Sequence, residues 1–552
     1  MPIGPLPPRD MDPLGWGEPS RRTPLPPHAK RWLHREIGLP DRRPVPADPP
    51  PAPNPPPSRI PAEARAALAE HAEVSEDPAT LLRHAGGKSY LDLTRRRRGE
   101  SDLPDAVVTP PDHVAVLAIL GVCAEHDIAV VPFGGGTSVV GGVAPLRGPH
   151  AAVIALDLRR IADLTHVDPE SLTITAGAGM RGPELERALA PYGLTLGHYP
   201  QSWEYATLGG YAATRSAGQA STGYGRFDDM VVSVQLATPK GTLVAGRAPA
   251  SSTGPDLRGL ILGSEGVFGV ITELTLRVRP IPEATYDEGW SFRTFEAGLT
   301  ALRRLTQAGL APDITRLSDP DETRATLALS GNGKTRILRG LLSARGRSGG
   351  CLLILGWEGE RTMVRDRRAA ATAILRAADG ARLGSTVGEA WRRGRFETAY
   401  LRDELLDAGA MVETLETATA WADVPGLYDA VRTALLTELR TGDARPLLMG
   451  HVSHIYPTGA SLYVTAGASR DTGDPLGQWI RAKSRATEVI AAARAVISHH
   501  HAVGTDHLPW ITEEIGPLGV RILRAIKNEL DPDGILNPGK LIPAEEKPGH
   551  SE

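Results

Sequence analysis

Between residues 113 and 126 apolar side chains return at helical spacing. Val116, Ile119, Leu120 and Cys123 fall at i, i+3, i+4 and i+7, which predicts a helix with one buried face. It leads into Ile128-Ala129-Val130-Val131, an apolar, β-branched run that reads as a strand. Similar runs at 152–156, 172–176, 230–238 and 270–278 predict further strands, with a short helix at 184–189. Residues 64–71 carry an earlier helical pattern. After Pro282 the pattern changes: long Ala/Leu/Arg-rich helices are predicted at 295–308, 361–378 and 425–441. They alternate with strand-like segments at 351–357, 411–417 and 460–466. Residues 499–543 read as loop, helix and a Pro/Gly-marked turn.

This pattern divides the chain into five parts: a Pro-rich N-terminal arm (1–60), a helical segment (61–103), a first α+β domain (104–282), a second α+β domain (283–495), and a C-terminal segment (496–552) expected to return to the first domain. Residues 44–57 are mostly proline, which favours extended, solvated backbone, so the arm is not expected to form a packed core. A length of 552 residues with 41% hydrophobic and 23% charged residues describes a soluble globular chain of several domains. A net charge of −4 argues against a general nucleic-acid binder. Two cysteines, Cys123 and Cys351, exclude a disulfide framework and a cysteine-rich zinc site. No apolar run reaches the ~18–20 residues that span a bilayer. The N-terminus has no signal-peptide core and the C-terminus no peroxisomal tripeptide. A cytoplasmic location is expected, with peripheral membrane contact if the substrate is a lipid.

Four small-residue, hydroxyl-rich segments carry the chemistry of the first domain. The first is Pro132-Phe133-Gly134-Gly135-Gly136-Thr137-Ser138, directly after a strand. Three glycines free one turn of every Cβ, and successive N–H groups in such a turn form a nest suited to a diphosphate. It is neither a Walker loop nor the G-x-G-x-x-G fingerprint. The second is Gln201-Ser202-Trp203-Glu204-Tyr205-Ala206-Thr207, continuing to Gly209-Gly210. The third is Thr214-Arg215-Ser216-Ala217. The fourth is Glu265-Gly266-Val267-Phe268-Gly269-Val270-Ile271. Together they suit an extended, dinucleotide-sized ligand better than a single phosphate.

The later part of the chain adds titratable groups. His499-His500-His501 precede Ala502-Val503-Gly504. A metal site, a polar surface loop, and an anion-binding, proton-shuttling cluster are all open readings. Neighbours on extended backbone point to alternate faces, so at most two of the three could readily share an ion; Asp506 and His507 are the other ligand types close by. Tyr463, on a strand-like run, is a core residue or a catalytic phenol. Arg316 and Arg402 are solvated surface residues or forks for an anion.

The four segments resemble the flavin-binding domain of the vanillyl-alcohol-oxidase superfamily of FAD-linked enzymes. Asp531-Pro532-Asp533-Gly534-Ile535-Leu536-Asn537-Pro538-Gly539-Lys540 resembles the closing motif of many members. No histidine lies between Phe133 and Val143, so the resemblance implies non-covalent FAD, in a two-domain α+β fold with a substrate-binding cap. Within that superfamily the chain resembles the alkylglycerone-phosphate synthase family. The likeness rests on Gly15-Trp16-Gly17, the four segments, Arg316, Arg402 within Ala-Tyr-Leu-Arg-Asp, the 412–417 run with Trp421, Tyr463, and the three histidines. The closing Asn537-Pro538-Gly539-Lys540 is nearer to the oxidase and dehydrogenase relatives.

The family's reaction would be a redox-neutral exchange of the acyl chain of acyl-dihydroxyacetone phosphate for a long-chain alcohol, through a flavin N5 adduct. The resemblance implies that Tyr463 moves protons, His499, His500 and His501 hold phosphate and relay protons, Arg316 stabilises developing charge, and Arg402 binds the phosphate or acyl ester. It implies no metal, and a homodimer. The alternatives are an FAD-linked oxidase or dehydrogenase of a D-2-hydroxy acid such as lactate or glycolate, and a flavoprotein scaffold without turnover.

Overall fold

The helix that opens the sequence pattern forms over His113–Glu125, capped by the Asp112 side chain on the Ala115 N–H. Its predicted face packs on the strands it leads into, and Val116, Ile119, Leu120 and Cys123 are fully buried there. The computed structural model describes residue 6 and residues 9–39, 55–330, 333–440 and 444–544. The proline stretch at 44–57 lies almost wholly outside the described residues.

Ile128–Phe133 pairs in parallel with Ala152–Asp157, which pairs in parallel with Ala106–Thr109; Glu73–Ser75 adds an antiparallel edge. All six residues of Ala152–Asp157 are buried, as expected of a parallel strand covered on both faces. A second, antiparallel sheet runs Leu164–Asp168, Thr173–Gly177, Val270–Arg277, Val231–Thr238, Gly241–Ala245. The chain end rejoins the first sheet: Val130 donates to the Ile535 carbonyl and the Asn537 N–H donates to the Val130 carbonyl, both at 2.8 Å.

A seven-stranded antiparallel sheet forms the cap. Its order is Ala381–Gly384, Ala284–Phe292, Cys351–Gly359, Ile314–Ser318, Leu447–Val452, Gly459–Ser469, Ala410–Ala420. Phe295–Gln307 and Arg361–Ala377 pack with one half of it, and Val424–Leu439 and Pro475–Ala492 with the other. Cys123 and Cys351 are both buried, and burial raises both thiols.

The N-terminal arm departs from the expectation of an unpacked segment. Pro27–Ile37 is a helix with Pro at its first position, where the missing N–H costs nothing. Its Ala29, Leu33 and Ile37, at i, i+4 and i+8, bury against Ala410, Val412 and Leu447 of the cap sheet. Proline-rich flanks masked this short amphipathic stripe.

Candidate active site

The Ile128–Phe133 strand ends in the glycine turn. A Cβ on Gly135 would lie 2.1 Å from the Tyr205 carbonyl oxygen, so glycine is what allows the turn to touch the 205–207 segment. Thr207 then caps the Leu208–Thr214 helix, accepting from the Gly210 N–H at 3.2 Å. An open cleft results, walled by small residues. The first segment lines it with Pro132, Phe133, Gly134 and Ser138, and the next with Thr207, Gly209, Gly210 and Thr214. Glu265, Gly266, Gly269 and Ile271 form another wall, and Ala502 closes it from the C-terminal segment. Gly135, Gly136 and Thr137 complete the turn without lining the cleft.

Other residues of those segments serve as braces. Gln201 and Ser202 sit on the preceding turn. Trp203 stacks on Phe396 at 5.5 Å, Glu204 pairs with Arg21 at 2.6 Å, and the Tyr205 hydroxyl is 3.5 Å from that of Tyr400. Ala206 and Ala217 are buried. Arg215 donates to the Leu262 and Gly259 carbonyls at 2.8 and 2.7 Å, and Ser216 meets His198 at 3.1 Å. Val267, Phe268 and Val270 are core residues.

Glu265 ties three parts of the molecule together. Its carboxylate accepts from the Val503 and Gly504 N–H groups, both at 2.8 Å, and its carbonyl accepts from Asn537 Nδ2 at 2.6 Å. Burial pushes this carboxyl up to about 7. Lys540, pushed down to about 7 by burial, donates to the Ala144 carbonyl at 2.6 Å. The closing motif therefore fastens the cleft wall and the histidine segment in place.

Those histidines do not lie on extended backbone. The loop wraps a buried carboxylate: Glu416 accepts from Ser498 Oγ at 2.9 Å and from the N–H groups of His499, His500 and His501 at 2.7, 2.9 and 2.9 Å. Consequently neighbouring rings gather instead of alternating, with centroids 5.2 Å (His499–His500) and 4.6 Å (His500–His501) apart. Tyr463 faces them. In the cap sheet it is in register with Glu416 on one side and His451 on the other. Its ring lies 4.7 Å from His451, 6.0 Å from His500 and 5.6 Å from His501. On the next strand Arg316 reaches His451 Nε2 at 3.2 Å and pairs with Glu322, while His451 Nδ1 meets Glu322 at 3.0 Å.

Burial pushes Tyr463 up to about 12, with the Thr414 hydroxyl opposing. Burial, then the charge of His500, pushes His499 and His501 down to about 3, and burial lowers His500 as well. Phenol and imidazoles are thus neutral near pH 7, each ring holding one donor and one acceptor nitrogen. His499 Nε2 meets the Tyr456 hydroxyl at 2.6 Å and its Nδ1 meets His500 Nδ1 at 3.0 Å. Asp506 is taken by Lys483 at 2.7 Å, and His507 Nδ1 meets the Ala502 carbonyl at 2.8 Å.

His451 and His454, which stacks on His499 at 5.1 Å, were not singled out from the sequence. Their His-x-x-His spacing at the end of the Leu447–Val452 strand was the available signal. One ring nitrogen from each of His454, His499 and His500 falls within 4.8 Å of the others, a grouping of metal-ligand type. Arg402, on the Thr398–Asp407 helix, stands apart from these rings. Its Nη1 donates to the Lys88 carbonyl at 2.6 Å, and Glu413 is the charge it faces.

Glu322 anchors the Arg316–His451 pair, and it gives a stability test. Burial would raise its pKa, but Arg316 and His451 hold it at about 2, below the ordinary 4.5. A carboxyl depressed in the folded state stabilises folding above the unfolded pKa and loses that contribution as pH falls toward the folded one. Glu322→Gln is expected to lower stability by about 3 kcal/mol at pH 7. In chemical denaturation the gap should narrow as pH drops from 4.5 toward 2; a gap independent of pH contradicts the assignment.

Known proteins are similar to this chain in sequence and fold. Residues 104–246 match the FAD binding domain family, and 281–541 match the family of FAD linked oxidases, C-terminal domain. The alkyldihydroxyacetonephosphate synthase of Trypanosoma brucei brucei is 33% identical over 86% of this chain and 79% of its own length. The chain belongs to the alkyldihydroxyacetonephosphate synthase family. The Dictyostelium discoideum alkyldihydroxyacetonephosphate synthase is 32% identical over 87% of this chain and 80% of its own. A solved alkyldihydroxyacetonephosphate synthase superposes with a TM-score of 0.83 at 28% identity, covering 97% of this chain and 99% of that one. FAD is the cofactor, and the small-residue cleft of the FAD-binding domain fits it.

Proposed function

We propose that this chain makes the ether bond of an alkyl-dihydroxyacetone phosphate, exchanging the acyl chain of acyl-dihydroxyacetone phosphate for a long-chain alcohol. The observation that carries this reading is the phenol of Tyr463 facing the imidazoles of His500 and His501, one residue along the chain from Ala502 at the cofactor cleft. Bound FAD, held non-covalently, supplies an electron store for making and breaking bonds at the substrate carbon. The protein residues move protons and steady charge. Tyr463, protonated at rest, donates to the departing carboxylate oxygen and takes a proton from the entering alcohol, so its proton inventory closes over each turnover. Neutral His500 and His501 accept and return the proton of the reacting carbon. Arg316 steadies negative charge that develops near His451, and Arg402 binds the anionic end of the substrate. Incubation with acyl-dihydroxyacetone phosphate and a labelled fatty alcohol is expected to yield labelled ether and free fatty acid; formation of neither contradicts the reading.

Lipid substrates also suggest how the protein meets them. Among the described residues no helix is long and apolar enough to cross a membrane. Ile511–Leu530, which follows the histidine segment, is broken at Gly516; Ile515 before the break and Leu518 and Ile522, one turn apart after it, are exposed at 38%, 61% and 51%. Its Glu514 accepts from the Ile497 N–H at 2.7 Å, tying it to the segment before the histidines. Such a stripe suits shallow insertion into a lipid surface. The double variant Leu518→Glu, Ile522→Glu is expected to lose at least ~10-fold in liposome co-sedimentation, on the order of two removed apolar anchors, with flavin content unchanged. Unaltered sedimentation contradicts peripheral contact through this helix. A homodimer follows from the family resemblance, and sedimentation equilibrium tests it.

A further inference from the structure

One face of the cap sheet carries a row of polar side chains in direct register. Ser318 pairs with His451, His451 with Tyr463, and Tyr463 with Glu416. Arg316 lies two residues before Ser318 on the same strand and so shares that face. Residues paired across antiparallel strands set their side chains side by side, which is how His451 comes to lie between Arg316 and Tyr463. Asp319 fixes a further member, Glu322. Its carboxylate accepts from the Gly450 N–H at 2.9 Å and from the Glu322 N–H at 2.6 Å. The strand of His451 and the Pro320–Ser330 helix that carries Glu322 are thereby pinned to one group.

Arg316, Glu322 and His451 close a ring of contacts. Glu322 Oε1 accepts from Arg316 Nη2, Glu322 Oε2 meets His451 Nδ1 at 3.0 Å, and His451 Nε2 meets Arg316 Nη1 at 3.2 Å. Arginine can only donate, and an ionised carboxylate can only accept. Against burial, Arg316 and His451 hold Glu322 ionised; burial, then the Arg316 charge, lowers the His451 pKa. A neutral ring with its proton on Nδ1 is the one tautomer that satisfies both neighbours. Guanidinium and carboxylate otherwise pair as a fork, with two parallel bonds from two nitrogens to two oxygens. Here the imidazole takes the second oxygen, so the fork stays open. The Arg316 side chain remains 32% exposed, against 9% for Glu322 and 7% for His451. The ring of contacts therefore meets open space at the guanidinium.

We infer that His451 is a positioning residue for the exchange: by capping one oxygen of Glu322 and accepting from Nη1 of Arg316, it keeps the guanidinium from folding onto the carboxylate and holds it out toward the negative charge that develops on the substrate. This rests on the function proposed above. The same ring carries Tyr463 on its face, at 4.7 Å and 21° from parallel, so one imidazole sets both the arginine and the phenol. Both of its nitrogens are committed, which separates it from His500 and His501, the rings that exchange the proton. A guanidinium fixed on two sides has its geometry before the charge appears. Donors preorganised in this way stabilise a transition state more than a bound substrate.

Three substitutions in the holoenzyme separate the parts played by the ring. Glutamine places an amide oxygen near the Nε2 position and can still accept from Arg316. Asparagine reaches only the Nδ1 position and can still donate to Glu322. Phenylalanine keeps the stacked ring and neither contact. His451→Gln is expected to stay within ~10-fold of wild-type kcat, and His451→Asn and His451→Phe to lose at least ~100-fold, the cost of misplacing a reacting group by about 1 Å. In those two, kcat and kcat/KM should fall together, as for an interaction made only in the transition state, with flavin content unchanged. In an Arg316→Met background the same His451→Asn change is expected to cost less than ~3-fold, because neighbours acting as one unit do not add. Asparagine or phenylalanine variants as fast as the glutamine variant overturn the inference, and so does an undiminished loss in the absence of Arg316. If His451→Asn does not fold, His451→Phe carries the same cycle. Nitrogen NMR of histidine-labelled wild type is independent of turnover. The resonances of position 451, identified by their loss in His451→Gln, are expected to show a neutral ring protonated on Nδ1. A ring protonated on Nε2 overturns the inference whatever the activity. A wild type with the expected tautomer that makes no ether sinks the synthase reading and leaves the placement of the arginine standing.

Discussion

Tyr463→Phe is expected to retain its FAD and to lose about 10³-fold in ether formation, the scale of a positioned general acid–base group. The substitution removes one oxygen and leaves the ring, so the 4.7 Å stacking on His451 survives. Strand register holds position 463 between Glu416 and His451 whatever the side chain carries. With packing and cofactor kept, the loss reports on the proton. Flavin absorbance per chain and steady-state rates, measured on the same preparation, check both halves. A variant turning over within ten-fold of wild type would remove Tyr463 from the chemistry and leave it a core residue.

Glu416→Ala is the second large effect, and it acts on the loop instead of the reaction. Four donors from residues 498–501 end on this carboxylate. Burial opposes its ionisation, yet the histidines around it, His500 first, and the N–H groups they donate to it hold it well below the usual carboxylate range. Deleting it leaves buried N–H groups without acceptors, a cost of about 3–5 kcal/mol, and frees the loop that gathers the rings. Expected results are a lower unfolding midpoint, faster amide exchange over 498–504, and at least a 100-fold loss of rate, in line with the cost of misplacing catalytic groups by about 1 Å. Wild-type stability would mean the loop is held by something else. Glu416→Gln, with one oxygen left to accept, should fall between.

Much of this was legible beforehand because it is written locally. The 113–126 periodicity and the glycine turn after an apolar strand rest on neighbouring residues, as does the short helix that forms over Gly182–Leu189. What escaped is what depends on distant partners. The Ala284–Phe292 strand carries Asp287 and Glu288, which break an apolar strand pattern; both are buried because Arg392 pairs with the first, and Arg368 and Arg382 with the second at 3.2 and 2.7 Å. The wrapping of the histidines around Glu416 is another such case: adjacent residues were expected to diverge, and a carboxylate some eighty positions earlier makes them converge. Arg96 sits among the arginines of a helix end and Lys88 just before that helix begins, where nothing local distinguishes a buried cation from a solvated one. Arg215, Trp203 and Glu204 lay in the right segments, but their side chains turn to braces away from the cleft.

The central claim is that cleft and phenol–imidazole cluster form one site performing an exchange with no net oxidation. Its most direct test is multiple turnover under strict anaerobiosis with no added electron acceptor, with the flavin spectrum followed throughout. The account predicts many ethers and equal fatty acid per flavin, with the oxidised spectrum restored when substrate is exhausted. A reaction that stops after a single equivalent with the flavin bleached, or bleaching by a D-2-hydroxy acid in place of ether formation, would contradict it.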